Sequence, residues 1–99
     1  MSRIQHTVNF RLIHPKGSTP ESAFLDDARS LLTSIPGVEE FRISEQVSAK
    51  SDLAFQFSMY FVDQAAYDAY DQHPTHVGFV AERWVPEVEA FQEYDYIEV

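Results

Sequence analysis

The residues best suited to chemistry fall in one short stretch, Tyr70-Asp71-Gln72-His73-Pro74-Thr75-His76-Val77-Gly78-Phe79. An imidazole can take up or release a proton near neutral pH, and a phenol can donate a hydrogen bond to a developing oxyanion. Pro74 should break a helix here. Beyond the break, His76, Phe79, Val80, Arg83 and Trp84 recur at i, i+3, i+4, i+7 and i+8, which is one helical face. His76 therefore begins the buried side of a helix, and a buried imidazole needs a partner or a task. A structural and a functional role for it stand equally open.

The other histidines are weaker candidates. His6 sits among apolar residues on a strand face, where a hydrogen-bonded core histidine is the commoner outcome. His73 precedes a proline, a position that favours extended backbone and so a helix end. His14 falls in a turn. His73 and His76 could join Asp68 or Asp71 around a metal, but no third ligand stands at a convincing spacing. There is no glycine-rich phosphate loop and no G-x-S-x-G elbow. The expectation is a protein using neither metal nor organic cofactor.

These side chains must be positioned by alternating elements. Residues 4–13 form a strand of period two, with Ile4, His6, Val8, Phe10 and Leu12 on one face and Gln5, Thr7, Asn9 and Arg11 on the other. His14-Pro15-Lys16-Gly17 reads as a turn. Ser18-Thr19-Pro20-Glu21 has the form of a capping box, opening a helix whose stripe is Phe24, Leu25, Ala28, Leu31, Leu32 and Ile35. Pro36-Gly37 stops it. Residues 38–47 read as a strand with Phe41, Ile43 and Val47 in phase, followed by a polar loop from Ser48 to Asp52. Residues 53–62 are a third strand, with Phe55, Phe57, Met59 and Phe61 on one face. Asp63 caps a short helix running to about Gln72. Val85-Pro86 kinks or ends the His76 helix, and Trp84 is expected to anchor the core or an interface. A last strand spans 91–98, where Phe91 and Ile97 are in phase with Asp95, and Tyr94 and Tyr96 are not.

The order β-α-β-β-α-β specifies an α+β, ferredoxin-like arrangement with a four-stranded antiparallel sheet, read as a single domain over 1–99. Helices cover one face of such a sheet. The other carries Gln5, Thr7, Asn9 and Arg11 beside Ala54, Tyr60 and Val62, too polar for a core and too apolar for water. A homodimer burying that face is the expected solution.

Composition narrows the function classes. The chain has 99 residues, with eight Phe, five Tyr and one Trp, enough rings for a packed core or a ring-lined cavity. Its formal charge of −9 disfavours nucleic acid and anionic membrane surfaces, which need a cationic footprint. No apolar run approaches a transmembrane span, and the N-terminus lacks the apolar segment of a secretory leader. The absence of cysteine excludes disulfides and thiol chemistry without fixing the compartment. A cytoplasmic protein is the expectation.

Three segments together resemble the stress-responsive A/B barrel domain family: Ile-x-His-x-Val-x-Phe from Ile4 to Phe10, Tyr-x-x-His-Pro-x-His-x-x-Phe from Tyr70 to Phe79, and Tyr94-Asp95-Tyr96. The resemblance runs over essentially the whole chain and implies a dimeric α+β barrel, two sheets meeting at the centre with helices outside. One member is a plant polyketide cyclase that performs an intramolecular aldol condensation without a cofactor. By that match Tyr70 and His76 are the functional pair, His6 lines the pocket, and Asp95 is an acid near the histidine, able to orient His76 as a triad acid would. Where that cyclase carries a further histidine in its third strand, this chain has Phe55, implying a less polar pocket and a different substrate.

Two function classes follow. In one, a small dimeric protein binds an apolar small molecule or performs cofactor-free acid–base chemistry, in a pocket between sheet and helices lined by His6, Phe10, Phe55, Phe57, Tyr70, His76 and Phe79. In the other, a non-catalytic stress-associated dimer has a filled core that its histidines merely complete. An open cavity above the ~300 Å³ lower end for ligand sites would favour the first.

Overall fold

The computed structural model describes residues 2–99. Strand β1 (Ile4–Leu12) lies inside a four-stranded sheet of order β2-β3-β1-β4, with β2 at Glu39–Glu45, β3 at Phe55–Phe61 and β4 at Val88–Tyr96. All the neighbouring strands are antiparallel. Helix α1 (Thr19–Thr33) connects β1 to β2. Between β3 and β4 the chain forms α2 (Gln64–Gln72), α3 (Pro74–Phe79), a π-helical turn (Val80–Trp84) and a final helical turn (Val85–Glu87).

The period-two reading of β1 and β3 holds residue by residue. His6 faces Met59, Val8 faces Phe57 and Phe10 faces Phe55 across the central pair. These side chains point toward the helices and are buried, with Phe10 and Phe61 fully so. Each such phenylalanine contributes about 1.5–3 kcal/mol by leaving water. Phe24 from α1 inserts its ring among them, 6.0 Å from Phe10 and 5.6 Å from Phe79.

Capping follows the sequence pattern with one difference. The Ser18 hydroxyl accepts from Glu21 N–H, but Glu21 reaches back to the Gly17 N–H at 3.0 Å, one residue before the cap. Gly17 has φ +80°, a backbone conformation that suits glycine. Gly37, with φ +92°, turns the chain after α1. Asp63 caps α2 through the Ala66 N–H.

The two edge strands and the helical stripe after Pro74 depart from expectation. β2 ends at Glu45, so Val47 lies beyond the strand and is exposed, while Phe41 and Ile43 pack against the core. A bulge between Glu39 and Arg42, where Glu40 adopts φ +51°, resets the pairing with β3. β4 starts at Val88, three residues earlier than expected, and bulges opposite Arg11 and Leu12. The stripe after Pro74 is not a regular α-helix: the Val85 N–H bonds to the Val80 carbonyl, five residues back. The cause is Pro86, which has no N–H to donate and whose ring crowds the carbonyl four residues earlier.

The opposite sheet face is free of helices. It carries Gln5, Thr7 and Asn9 from β1, Gln56, Ser58 and Tyr60 from β3, and Gln92, Tyr94 and Tyr96 from β4. The last two tyrosines are about half exposed. No helix among the described residues is long and apolar enough to cross a membrane.

Candidate functional site

A cavity of about 340 Å³ lies between the sheet and the segment from α2 to the π-helical turn. Its apolar wall includes Val8, Phe57, Met59, Phe79, Trp84 and Phe91; its polar wall is His6, Tyr70, Asp71, His76 and Glu93. The strand period brings His6 to this side of β1. The proline break folds α3 back so that the His76 ring stands 4.5 Å from that of Tyr70. His73 makes the break: its backbone is extended at φ −63° and ψ 136°, and its Nδ1 accepts from the Thr75 N–H at 3.1 Å.

The structure redistributes the expected partnerships. Asp95 does not orient His76. It lies directly across from His6 in the β1–β4 pairing, and its Oδ1 is 2.6 Å from His6 Nδ1. The register, which the sequence left ambiguous, puts Phe91, Glu93 and Asp95 on the helix side and Tyr94 and Tyr96 on the other. His76 instead holds the main-chain carbonyl of Asp71, with Nδ1 at 2.9 Å. Phe10 and Phe55 do not line the cavity. Phe10 packs against Phe24, Phe55, Phe57 and Trp84 at the closed end of the core. Of the expected pocket residues, His6, Phe57, Tyr70, His76 and Phe79 do line it.

Tyr67 is the member that sequence reasoning missed. Its hydroxyl donates to Asp95 Oδ2 at 2.9 Å and lies 2.9 Å from His6 Nδ1. Burial raises the Tyr67 pKa above the ordinary phenol value, and the hydrogen bond to Asp95 adds to the shift. A signal was present: Ala66, Tyr67 and Tyr70 follow the Asp63 cap at helical spacing, forming the face of α2 that meets the sheet.

The hydrogen-bond network fixes the proton positions. Asp95 and the Asp71 carbonyl can only accept, so Nδ1 carries the proton in His6 and in His76. In the neutral rings each Nε2 is then an acceptor. His6 Nε2 finds only Glu93 Oε2, at 3.8 Å, beyond hydrogen-bond reach. The Tyr70 hydroxyl bonds to no side chain or backbone group among the described residues, although the residue is only 2% exposed. No side-chain nitrogen or oxygen among the described residues is both sealed from space and unpartnered, so this hydroxyl meets the cavity. Burial, then the nearby Asp71 charge, raises the Tyr70 pKa and keeps the phenol a donor. Among the described residues no group of three or more His, Asp or Glu side chains is arranged to hold a metal.

Outside the cavity, Glu87 gathers His14 Nε2 at 2.7 Å and Arg83 Nε at 2.6 Å, and Arg83 also pairs with Asp27. His14 thus ties the end of β1 to the last helical turn. The Arg83 hydrogen bond, with a further contribution from His14, holds the Glu87 carboxyl below its ordinary pKa.

Comparison with solved structures shows that this fold recurs. A Dabb family protein with a ferredoxin-like fold from Mesorhizobium loti is 50% identical, covering 100% of this chain and 99% of that one, with a TM-score of 0.98. A hydroxynitrile lyase from Passiflora edulis is 17% identical over 98% of this chain and 94% of that one, TM-score 0.83. A dimeric ferredoxin-like protein of unknown function from Thermobifida fusca is 16% identical over 98% and 92%, TM-score 0.81. The last two likenesses concern the fold alone. Comparison with curated proteins gives no match. The family model described as the stress responsive A/B barrel domain matches residues 4–98, and with this coverage the chain belongs to that family.

Proposed function

We propose that the cavity binds a small, largely apolar carbonyl compound and supports cofactor-free acid–base chemistry on it, of the kind an aldol cyclisation requires. The observation that carries this reading is Tyr70: the residue is 2% exposed, and its hydroxyl, without a partner among the described residues, faces a cavity of about 340 Å³ beside two imidazoles. Open to the cavity, the hydroxyl can donate to a bound carbonyl oxygen, a hydrogen bond worth about 0.5–1.5 kcal/mol net. The volume exceeds the ~300 Å³ at which ligand sites begin, which supports this reading over that of a filled core.

The roles follow from the bonds. Asp95 on Nδ1 fixes the His6 ring and its tautomer, leaving Nε2 to accept a proton from the substrate. His6 takes the proton from the carbon next to the carbonyl. Tyr70 donates to the oxygen on which charge develops. His6 returns that proton, or one exchanged from solvent, to carbon as the oxyanion collapses, and the His76 ring, packed 4.5 Å from that of Tyr70, positions the phenol at the oxygen end of the cavity. Tyr67 holds the His6–Asp95 pair in place. That a hydroxynitrile lyase shares the fold is consistent with an enzyme on this architecture; the residues, not the fold, argue for the chemistry.

The helix-free sheet face supports a homodimer. Exposed Tyr94 and Tyr96 lie beside Gln5 and Thr7, a surface suited to a two-fold partner, and three of the similar structures are described as dimeric ferredoxin-like proteins. Light scattering across micromolar concentrations should give twice the monomer mass; a persistent monomer refutes the dimer.

The chemistry is tested by following exchange of the methyl protons of acetophenone in D₂O by NMR. The protein should accelerate exchange. His6→Asn should lower it by about 10²–10⁴-fold, and His76→Asn by less. No binding and no exchange, in folded protein, would leave the non-catalytic dimer as the better reading.

A further inference from the structure

The polar wall of the cavity is lopsided in both charge and hydrogen-bonding capacity. Its charged members are Asp71 and Glu93, and among the described residues no lysine or arginine lines it. Glu93 Oε2 lies 3.8 Å from His6 Nε2, and Asp71 Oδ1 lies 3.9 Å from His76 Nδ1. Both side chains are more than half exposed, at 53% and 67%, so they stand at the rim rather than in the depth of the cavity. Arg83, next in sequence to Trp84 of the apolar wall, is taken by Asp27 and Glu87. Deeper in, the Tyr70 hydroxyl is the donor, and the His6 and His76 rings stand beside it.

An uncharged ketone needs one donor for its oxygen and gains from acceptors near its acidic C–H. A carboxylate needs several donors and would stand beside the Glu93 carboxylate with no lysine or arginine among the described lining residues to offset its charge. We infer that the cavity selects uncharged carbonyl compounds against their carboxylates, and that Glu93 sets this selection. The inference rests on the reading of the cavity as a small-molecule site, supported by the unpartnered Tyr70 hydroxyl and by His6, itself 5% exposed, with Nε2 unbonded. It goes further by naming the substrate's charge class and the residue that enforces it. The chain's net charge of −9 acts in the same direction at longer range.

Acetophenone and benzoate have nearly the same shape and differ by one charge, so they form a direct test. Dissociation constants for both are measured by ligand-observed NMR at low and moderate salt, for wild type and Glu93→Gln. Wild type should bind benzoate at least about tenfold more weakly than acetophenone, and added salt should narrow the gap. Glu93→Gln should reduce the ratio of the two constants by about fivefold or more. Benzoate binding as tightly as acetophenone would overturn the selection. An unchanged ratio in Glu93→Gln would remove Glu93 from it. If neither probe binds, the small-molecule reading itself fails and this inference falls with it, a pattern distinct from the other two.

Discussion

The two ends of β1 share one face, one period and one sheet, yet they are built for opposite purposes. At the Phe10 end the space under the helices is filled with rings: Phe10 lies 4.6 Å from Phe57, 5.1 Å from Trp84 and 6.0 Å from Phe24. At the His6 end α2 supplies Tyr67 and Tyr70, and β4 supplies Glu93 and Asp95. There the polar atoms outnumber the partners the protein gives them, and a cavity remains. The difference shows how a period-two strand can carry a dry core and a wet site on the same side. The strand only sets direction; the elements laid over it decide whether the space closes.

The comparison breaks most easily at its dry end. Phe10→Ala should cost about 3–5 kcal/mol of unfolding free energy, read by urea titration, because the packed rings around it cannot collapse into the space. A cost below about 1 kcal/mol would mean that the Phe10 end is not close-packed and that the contrast is false.

At the wet end, Asp95→Asn should lower acetophenone proton exchange by about 10²-fold or more, since the amide can present its NH₂ to Nδ1 and favour the wrong tautomer. The stability change should stay near 1–2 kcal/mol, because Asp95 is partly exposed. A large loss of stability with undiminished exchange per folded molecule would make Asp95 a structural partner only.

The two tyrosines of α2 sharpen the contrast further. Tyr67→Phe removes bonds to Asp95 and His6 and should cost about 1 kcal/mol. Tyr70→Phe removes a hydroxyl that has no partner among the described residues and should change stability by less than that, while weakening acetophenone binding. Chemical denaturation of the pair, with ligand titration of Tyr70→Phe, checks both. Equal destabilisation would imply that Tyr70 has a structural bond after all.

The smallest effect concerns the tie that holds the closing segment down. Glu87 has a lowered pKa in the folded state, so at acid pH the unfolded chain binds its proton more readily than the folded one. The stabilisation is therefore fully present above the ordinary glutamate value of about 4.3 and is lost as pH falls through the lower folded value. Comparing thermal stability of wild type and Glu87→Gln from pH 7 down to 3 should show a modest difference that fades below about pH 4.3. A difference that grows with acid would reverse the assigned sign.

Much of this fold was written locally. The alternation of Ile4 to Leu12 and of Phe55 to Phe61, the caps at Ser18 and Asp63, and the break at His73-Pro74 each depend on a residue and its near neighbours, so the sequence declares them. The family could be read for the same reason, from three short segments. Local pattern also put Tyr70 and His76 together, because the break between them is itself local. It did not reveal that Asp95 serves His6, that Tyr67 completes the pair, or that Phe10 and Phe55 belong to the closed end. Those facts depend on the register of β4 against β1, on bulges that shift which residues meet, and on the π-helical turn that Pro86 imposes. A one-residue slip of a strand turns every side chain to the other face. The sequence by itself determined which residues face the helices along β1 and β3; only the tertiary structure decided which residues they meet there, because pairing across strands far apart in sequence is settled by the packing of the whole.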